Sequence, residues 1–203
     1  MTAGSAGVQS HLGESGEGKV LVLYDSRTGH TAKMAAYVAE GASGVEATEV
    51  RLRAVAEAVG EDLVWADGVA VGSPTHMGQP SWQLKKFFDE CGAWGQVDGR
   101  IGVAFASEGG HAGGASLTCL SIMLLLLNFG FLVMGITDYS SYCYTLHYGA
   151  TTVREPRRLG DIAACRKLGR QLALAVRHGH IDVREPGQSG PTLFSEKPAD
   201  WVD

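Results

Sequence analysis

Three uninterrupted apolar runs set the strongest limit on the fold: VLVLY at residues 20–24, GVAVG at 68–72 and IGVAFA at 101–106. A strand with one face in water alternates polar and apolar residues. These runs do not alternate, so both of their faces are covered, as in a parallel sheet with helices on either side. Each run ends in a small polar loop followed by a helical pattern. After the first, AKMAAYVAE at 32–40 has helical spacing and is closed by Gly41 and Gly44. Residues 45–50 read as a second strand and 51–59 as a short helical crossover. Residues 81–91 read as a helix, 117–127 as a strongly apolar helix, 131–134 as the last strand and 157–177 as the last long helix. Strands alternating with helices make βαβ units. The expected architecture is α/β: a single domain with a doubly wound, five-stranded parallel sheet in the order 2-1-3-4-5.

Composition narrows the classes. The chain has 203 residues, 45% hydrophobic and 19% charged, which suits one globular domain. That domain is expected over residues 19–180. Residues 1–18 lack periodicity and read as a flexible leader, and 181–203, with Phe194 and Trp201, as a C-terminal arm or tail. A net charge of −5 argues against a sequence-independent grip on nucleic acid. The longest apolar run, 122–134, is broken by Asn128 and Gly130 and falls short of the ~20 residues of a membrane span. Cys91, Cys119, Cys143 and Cys165 form no CxxC pair, so they read as idle thiols of a reducing, cytoplasmic compartment, with no metal site.

In sheets of this kind ligands sit beyond the carboxyl ends of the strands, where the three polar loops lie. The first comprises Ser26, Arg27, Thr28, Gly29, His30 and Thr31 at a helix start. Its hydroxyls and free N–H groups suit an anion. It carries neither a GK[ST] signature nor GxGxxG, so a phosphate monoester fits better than a triphosphate or a dinucleotide. The second loop has Pro74 to stiffen it, then Thr75, His76 and Met77. The third, with Ser107, Glu108, Gly109, Gly110, His111 and Gly113, has four glycines across 107–114 that let backbone approach a flat ring. Together they imply a mononucleotide.

The first strand with its loop (VLVLYDSRTGH, 20–30) resembles the flavodoxin superfamily. GSPTHMG at 72–78 with WQLKKFFD at 82–89, FASEGGHAGG at 105–114 and YGATTV at 148–153 resemble a narrower group, the WrbA-type NAD(P)H:quinone oxidoreductases. The likeness covers roughly residues 19–179. It implies a flavodoxin-like fold, FMN, a homo-oligomer (dimer or tetramer) and two-electron transfer from NAD(P)H to quinones. Residues 26–31 would hold the ribityl phosphate; 74–77 and 107–113 would line the isoalloxazine. Trp94 matches a family tryptophan at the mouth of the flavin pocket, and Asn128 falls where the family has a histidine. The chain departs from the pattern at His76 (usually Arg), Met77 (usually Phe) and Asn128, in a shorter segment after the second strand, and over 136–147.

The mechanism expected is hydride delivery from NAD(P)H to flavin N5, then release to a quinone or similar flat acceptor in the same place. His76, His111 and Asn128 are the candidate catalytic residues, the histidines as donors to the ring or to a quinol. Two alternatives remain open: an electron carrier of the flavodoxin type, or a pathway-specific FMN reductase or tailoring enzyme on the same scaffold. The basic residues Arg154, Arg157, Arg158, Arg166, Lys167 and Arg170 read either as a solvated helix face or as an attraction for the phosphate of NADPH.

Overall fold

The computed structural model describes residues 17–141 and 144–178. Four strands form the heart of one parallel sheet: β1 (Gly18–Tyr24), β2 (Thr48–Ala54), β3 (Gly68–His76) and β5 (Ile101–Glu108), in the order β2-β1-β3-β5. The apolar runs are continuous because each strand feeds two cores. Val20 and Val22 of β1, Ala70 of β3 and Val103 and Phe105 of β5 face helices α1 (His30–Ser43) and α5 (Leu159–His178). Leu21 and Leu23, Val69 and Val71, and Ala104 and Ala106 face α2 (Gly60–Trp65), α3 (Trp82–Glu90) and α4 (Ala115–Asn128). The sheet is thus a middle layer with helices on both sides.

Two expectations change in detail. The second strand runs later than the 45–50 reading, and residues 51–54, expected in a helical crossover, are strand. Arg51 and Arg53 give that edge strand its polar character, and both pair with Asp62 at the start of α2. The fifth position of the sheet is filled by two pieces. β6 (Leu132–Val133) pairs with Ile101 and Gly102, and β9 (Ala150–Val153) pairs with Phe105 to Glu108, both parallel to β5. Between them the chain leaves the sheet as an antiparallel hairpin, β7 (Ile136–Ser141) and β8 (Tyr144–Leu146), whose Ile136 and Leu146 are buried under α5. The order 2-1-3-4-5 holds, with its last strand split. The proposed leader, apart from residues 17 and 18, lies outside the described residues; so do the proposed C-terminal arm and Cys143.

Two glycines let α1 and α5 approach closely. A Cβ on Gly41 would lie 2.0 Å from the Arg166 carbonyl oxygen, and one on Gly169 would lie 1.9 Å from that of Val38. Helices α1 and α5 therefore cross backbone against backbone. Arg100 closes α2: its Nη1 donates to the carbonyls of Leu63, Val64 and Ala66 at 2.5–2.6 Å, the groups a helix end leaves unpaired.

Among the described residues no helix is long and apolar enough to cross a membrane, and no group of three or more His, Cys, Asp or Glu side chains could hold a metal ion. Cys119 and Cys165 are buried free thiols. Burial raises the pKa of both, that of Cys165 to about 12, so neither is a nucleophile near neutral pH.

Candidate functional site

Strands β1, β3 and β5 are parallel neighbours, so their following loops emerge on one edge. In the first loop Ser26 Oγ accepts the Ala32 N–H at 3.2 Å. Gly29 takes φ +85°, a left-handed conformation open to glycine, and starts α1 without a side-chain cap. The N–H groups of His30 and Thr31 find no acceptor among the described residues. They sit at the positive end of a 14-residue helix, a ready anion site. Arg27, Thr28 and Gly29 are exposed and His30 is half-buried. Thr31 behaves differently: it is buried, and its hydroxyl is 2.9 Å from that of Ser107. That bond joins the first loop to the third.

The second loop is a hairpin tip. The chain runs straight on from β3 and turns back through β4 (Gln79–Pro80), with His76 opposite Gln79. The two residues between, Met77 and Gly78, both have positive φ, +51° and +77°, the requirement of a tight hairpin matched to strand twist. The turn leaves Met77 fully exposed. Pro74, Thr75 and His76 are half-buried beneath it. Thr75 Oγ1 accepts from Thr118 Oγ1 at 3.0 Å, fixing this loop to α4.

The third loop crosses between the other two. A Cβ on Gly114, at its end, would lie 3.5 Å from Gly78 Cα, while Ser107, at its start, holds Thr31. Glu108 turns its carboxylate onto the N–H of Ala115 at 2.9 Å, so it caps α4 rather than facing outward. Gly109, Gly110, His111 and Gly113 are exposed. An added Cβ at Gly109 or Gly110 would meet no atom within 4 Å. The result is an open shelf of backbone, tied at one end to an anion site and at the other to a hairpin tip. Those are the donor set and the free space that an FMN phosphate and a flat ring require, so the residues fit that group.

Trp94 and Asn128 are brought together: Trp94 Nε1 donates to the Asn128 carbonyl at 3.2 Å. They do not meet the loops of their own chain. Asn128 ends the 14-residue α4 that starts at the third loop, which sets it about 20 Å away. Both are exposed. Beside Asn128 lies a cavity of about 510 Å³ between α3 and α4, reaching Gln79, Phe88 and Leu124. A second, of about 470 Å³, opens beside the first loop between Asp25, Val59, Trp82 and Phe87.

Some residues that shape this edge were not among the expected site residues. Thr118 anchors the second loop from within an apolar helix, where a lone threonine gives little signal. Glu155 follows β9 and pairs with Lys33 in the first turn of α1 and with Arg157. Hydrogen bonds from both cations lower its pKa to about 2. The TTV run at 151–153 marks that strand: Thr152, buried, donates to the Arg154 carbonyl at 2.8 Å.

Comparison with known proteins agrees with this architecture. The flavodoxin family model matches residues 22–148. A protein of Aquifex aeolicus described as a flavodoxin is 58% identical over 182 residues, covering 87% of this chain and 98% of that protein. An NAD(P)H dehydrogenase (quinone) of Cupriavidus metallidurans is 37% identical over 164 residues, covering 66% and 82%. Among solved structures, a flavodoxin described as WrbA-like, from Agrobacterium tumefaciens, is 30% identical with a TM-score of 0.63, covering 79% of this chain and 99% of that one.

Proposed function

The chain belongs to the flavodoxin family, and we propose that it binds FMN non-covalently and moves two electrons from NAD(P)H to a quinone or a similar flat acceptor. The observation that carries this reading is the joined set of loops. One hydroxyl pair, Thr31 with Ser107, links a helix N-terminus without a side-chain cap to a glycine shelf. The N–H groups of His30 and Thr31, with the hydroxyls of Ser26 and Thr28 and the backbone of Arg27 and Gly29, would hold the phosphate. Pro74, Thr75, His76 and Met77 would take one side of the ring and residues 107–113 the other. When bound, the flavin supplies acceptance and release of hydride. The protein supplies position, N–H donors toward developing negative charge and, at His76 and His111, imidazoles at the rim able to hand a proton to a reduced acceptor. The quinone dehydrogenase relatives support the choice of NAD(P)H and quinone.

Trp94 and Asn128 have a place in this reading if the protein assembles. Lying a helix length from their own loops, they would serve as lid and polar contact over the loops of a second copy, in a homodimer or homotetramer. The cytoplasm, a reducing compartment, suits the free thiols. A second reading, an electron carrier that turns over no small molecule, is favoured by the flavodoxin that is 58% identical to this chain. A pathway-specific FMN reductase on the same scaffold would accord with His76, Met77 and Asn128.

The test is spectroscopic. Purified protein, supplied with FMN, is mixed anaerobically with NADPH or NADH, and benzoquinone follows. Bleaching of the flavin band and its recovery on quinone is the expected result. Bound FMN that neither nicotinamide reduces, yet that takes single electrons from a reductase, would establish the carrier instead.

A further inference from the structure

We propose that Arg154 raises the redox potential of the bound flavin by holding a positive charge, without an ion-pair partner among the described residues, against the third loop; this rests on the FMN reading above. The backbone gives the first sign. Among the described residues four non-glycine residues have positive φ, and three of them, Met77, Ala112 and Arg154, lie on this edge. An arginine at φ +60° is strained, and it is held there from both sides. Its N–H donates to the Glu108 carbonyl at 2.7 Å, and its own carbonyl accepts the Thr152 hydroxyl at 2.8 Å. The turn aims the side chain back over the glycine shelf, where Nε lies 3.5 Å from the carbonyl oxygen of Gly109.

The neighbouring charged side chains are engaged with other partners. Lys33 and Arg157 share Glu155, and the carboxylate of Glu108 is turned onto Ala115. Arg158 is engaged with Tyr144. Arg154 takes part in no ion pair among the described residues. Two-electron reduction of the isoalloxazine with uptake of one proton leaves the ring one negative charge richer than before. A cation beside the shelf lowers the free energy of that form relative to the oxidised one, so it raises the potential. Because the guanidinium is exposed, the effect is modest and weakens with salt.

The experiment measures the two-electron potential of the FMN-loaded protein by dithionite titration against a reference dye. Wild type is compared with Arg154→Gln, which keeps the strained turn, with Arg154→Gly, which relieves it, and with Arg154→Lys. The expected result is that Gln and Gly each weaken binding of reduced relative to oxidised FMN by about fivefold, a fall of about 20 mV for a two-electron couple. Lys retains most of the wild-type value, oxidised FMN binds with unchanged affinity throughout, and the shift shrinks as KCl rises. Potentials equal to wild type in both Gln and Gly, with FMN bound, overturn the inference and leave the FMN reading standing. A wild-type chain that takes up no FMN overturns both.

Discussion

Single atoms decide how the loop edge works. Gly29 has the left-handed backbone of a glycine, yet a Cβ there would meet nothing within 4 Å. Gly29→Ala therefore tests two quantities at once. The backbone strain is expected to lower stability by about 1 kcal/mol, read in a urea titration without flavin. The altered loop backbone, at the residue that starts α1, is expected to weaken FMN binding by more than that, read by fluorescence quenching. Glu155 gives a pH test. Its folded pKa of about 2 lies below the ordinary 4.5, so its pairing contributes stability that is complete above about pH 4.5 and is lost as pH falls toward 2. The difference in denaturation midpoint between wild type and Glu155→Gln is expected at pH 6 and should shrink steadily from pH 4.5 downward.

Elements show how much of this was legible in the sequence. Continuous apolar runs announced β1, β3 and β5 because burial on both faces removes the polar alternation, and the three loops followed from them. The start of β9 was not legible. Ala150–Val153 is only four residues long, so its β-branched TTV run is a weak local signal, and its partner, the end of β5, lies more than 40 residues earlier in the chain. The second strand was misplaced because Arg51 and Arg53, which belong to an exposed edge held by Asp62, resemble a helix face. Arg154 was visible only as one member of a basic run; its conformation and its reach to Gly109 depend on that unseen strand. The crossing of α1 and α5 gives a test at this scale. Gly169→Ala pushes a methyl onto the Val38 carbonyl, which no side-chain rotation relieves, and is expected to cost about 1–3 kcal/mol. Thermal unfolding checks it. A melting point unchanged from wild type would mean that the helices separate freely.

At the scale of the whole molecule, α4 is apolar all round but covered on one side only. Ala115, Cys119, Ile122 and Leu126 face the core, while Leu117, Leu120, Leu124 and Leu127 form an exposed stripe. In the proposed homo-oligomer this stripe would be the association surface, and its end is continuous with Asn128, which Trp94 contacts. The double substitution Leu120→Lys with Leu124→Glu is expected to convert an assembled protein to monomers in light scattering. FMN binding should survive, because the loops belong to one chain. Turnover with quinone should fall, because Trp94 and Asn128 would lose the copy they cover.

The split fifth strand has a meaning of its own for how such a molecule can vary. β6 and β9 each pair with β5 independently, one at each end, and the chain between them answers to neither register. The hairpin is therefore a seam at which length can change. Extra residues at its tip would shift no ladder and move no loop of the site, and doubling a loop's length costs only about 0.6 kcal/mol in closure entropy. A lineage could embroider this seam while the rest of the sheet stayed as it is, and a designer seeking a place for a tag or a tether could cut there.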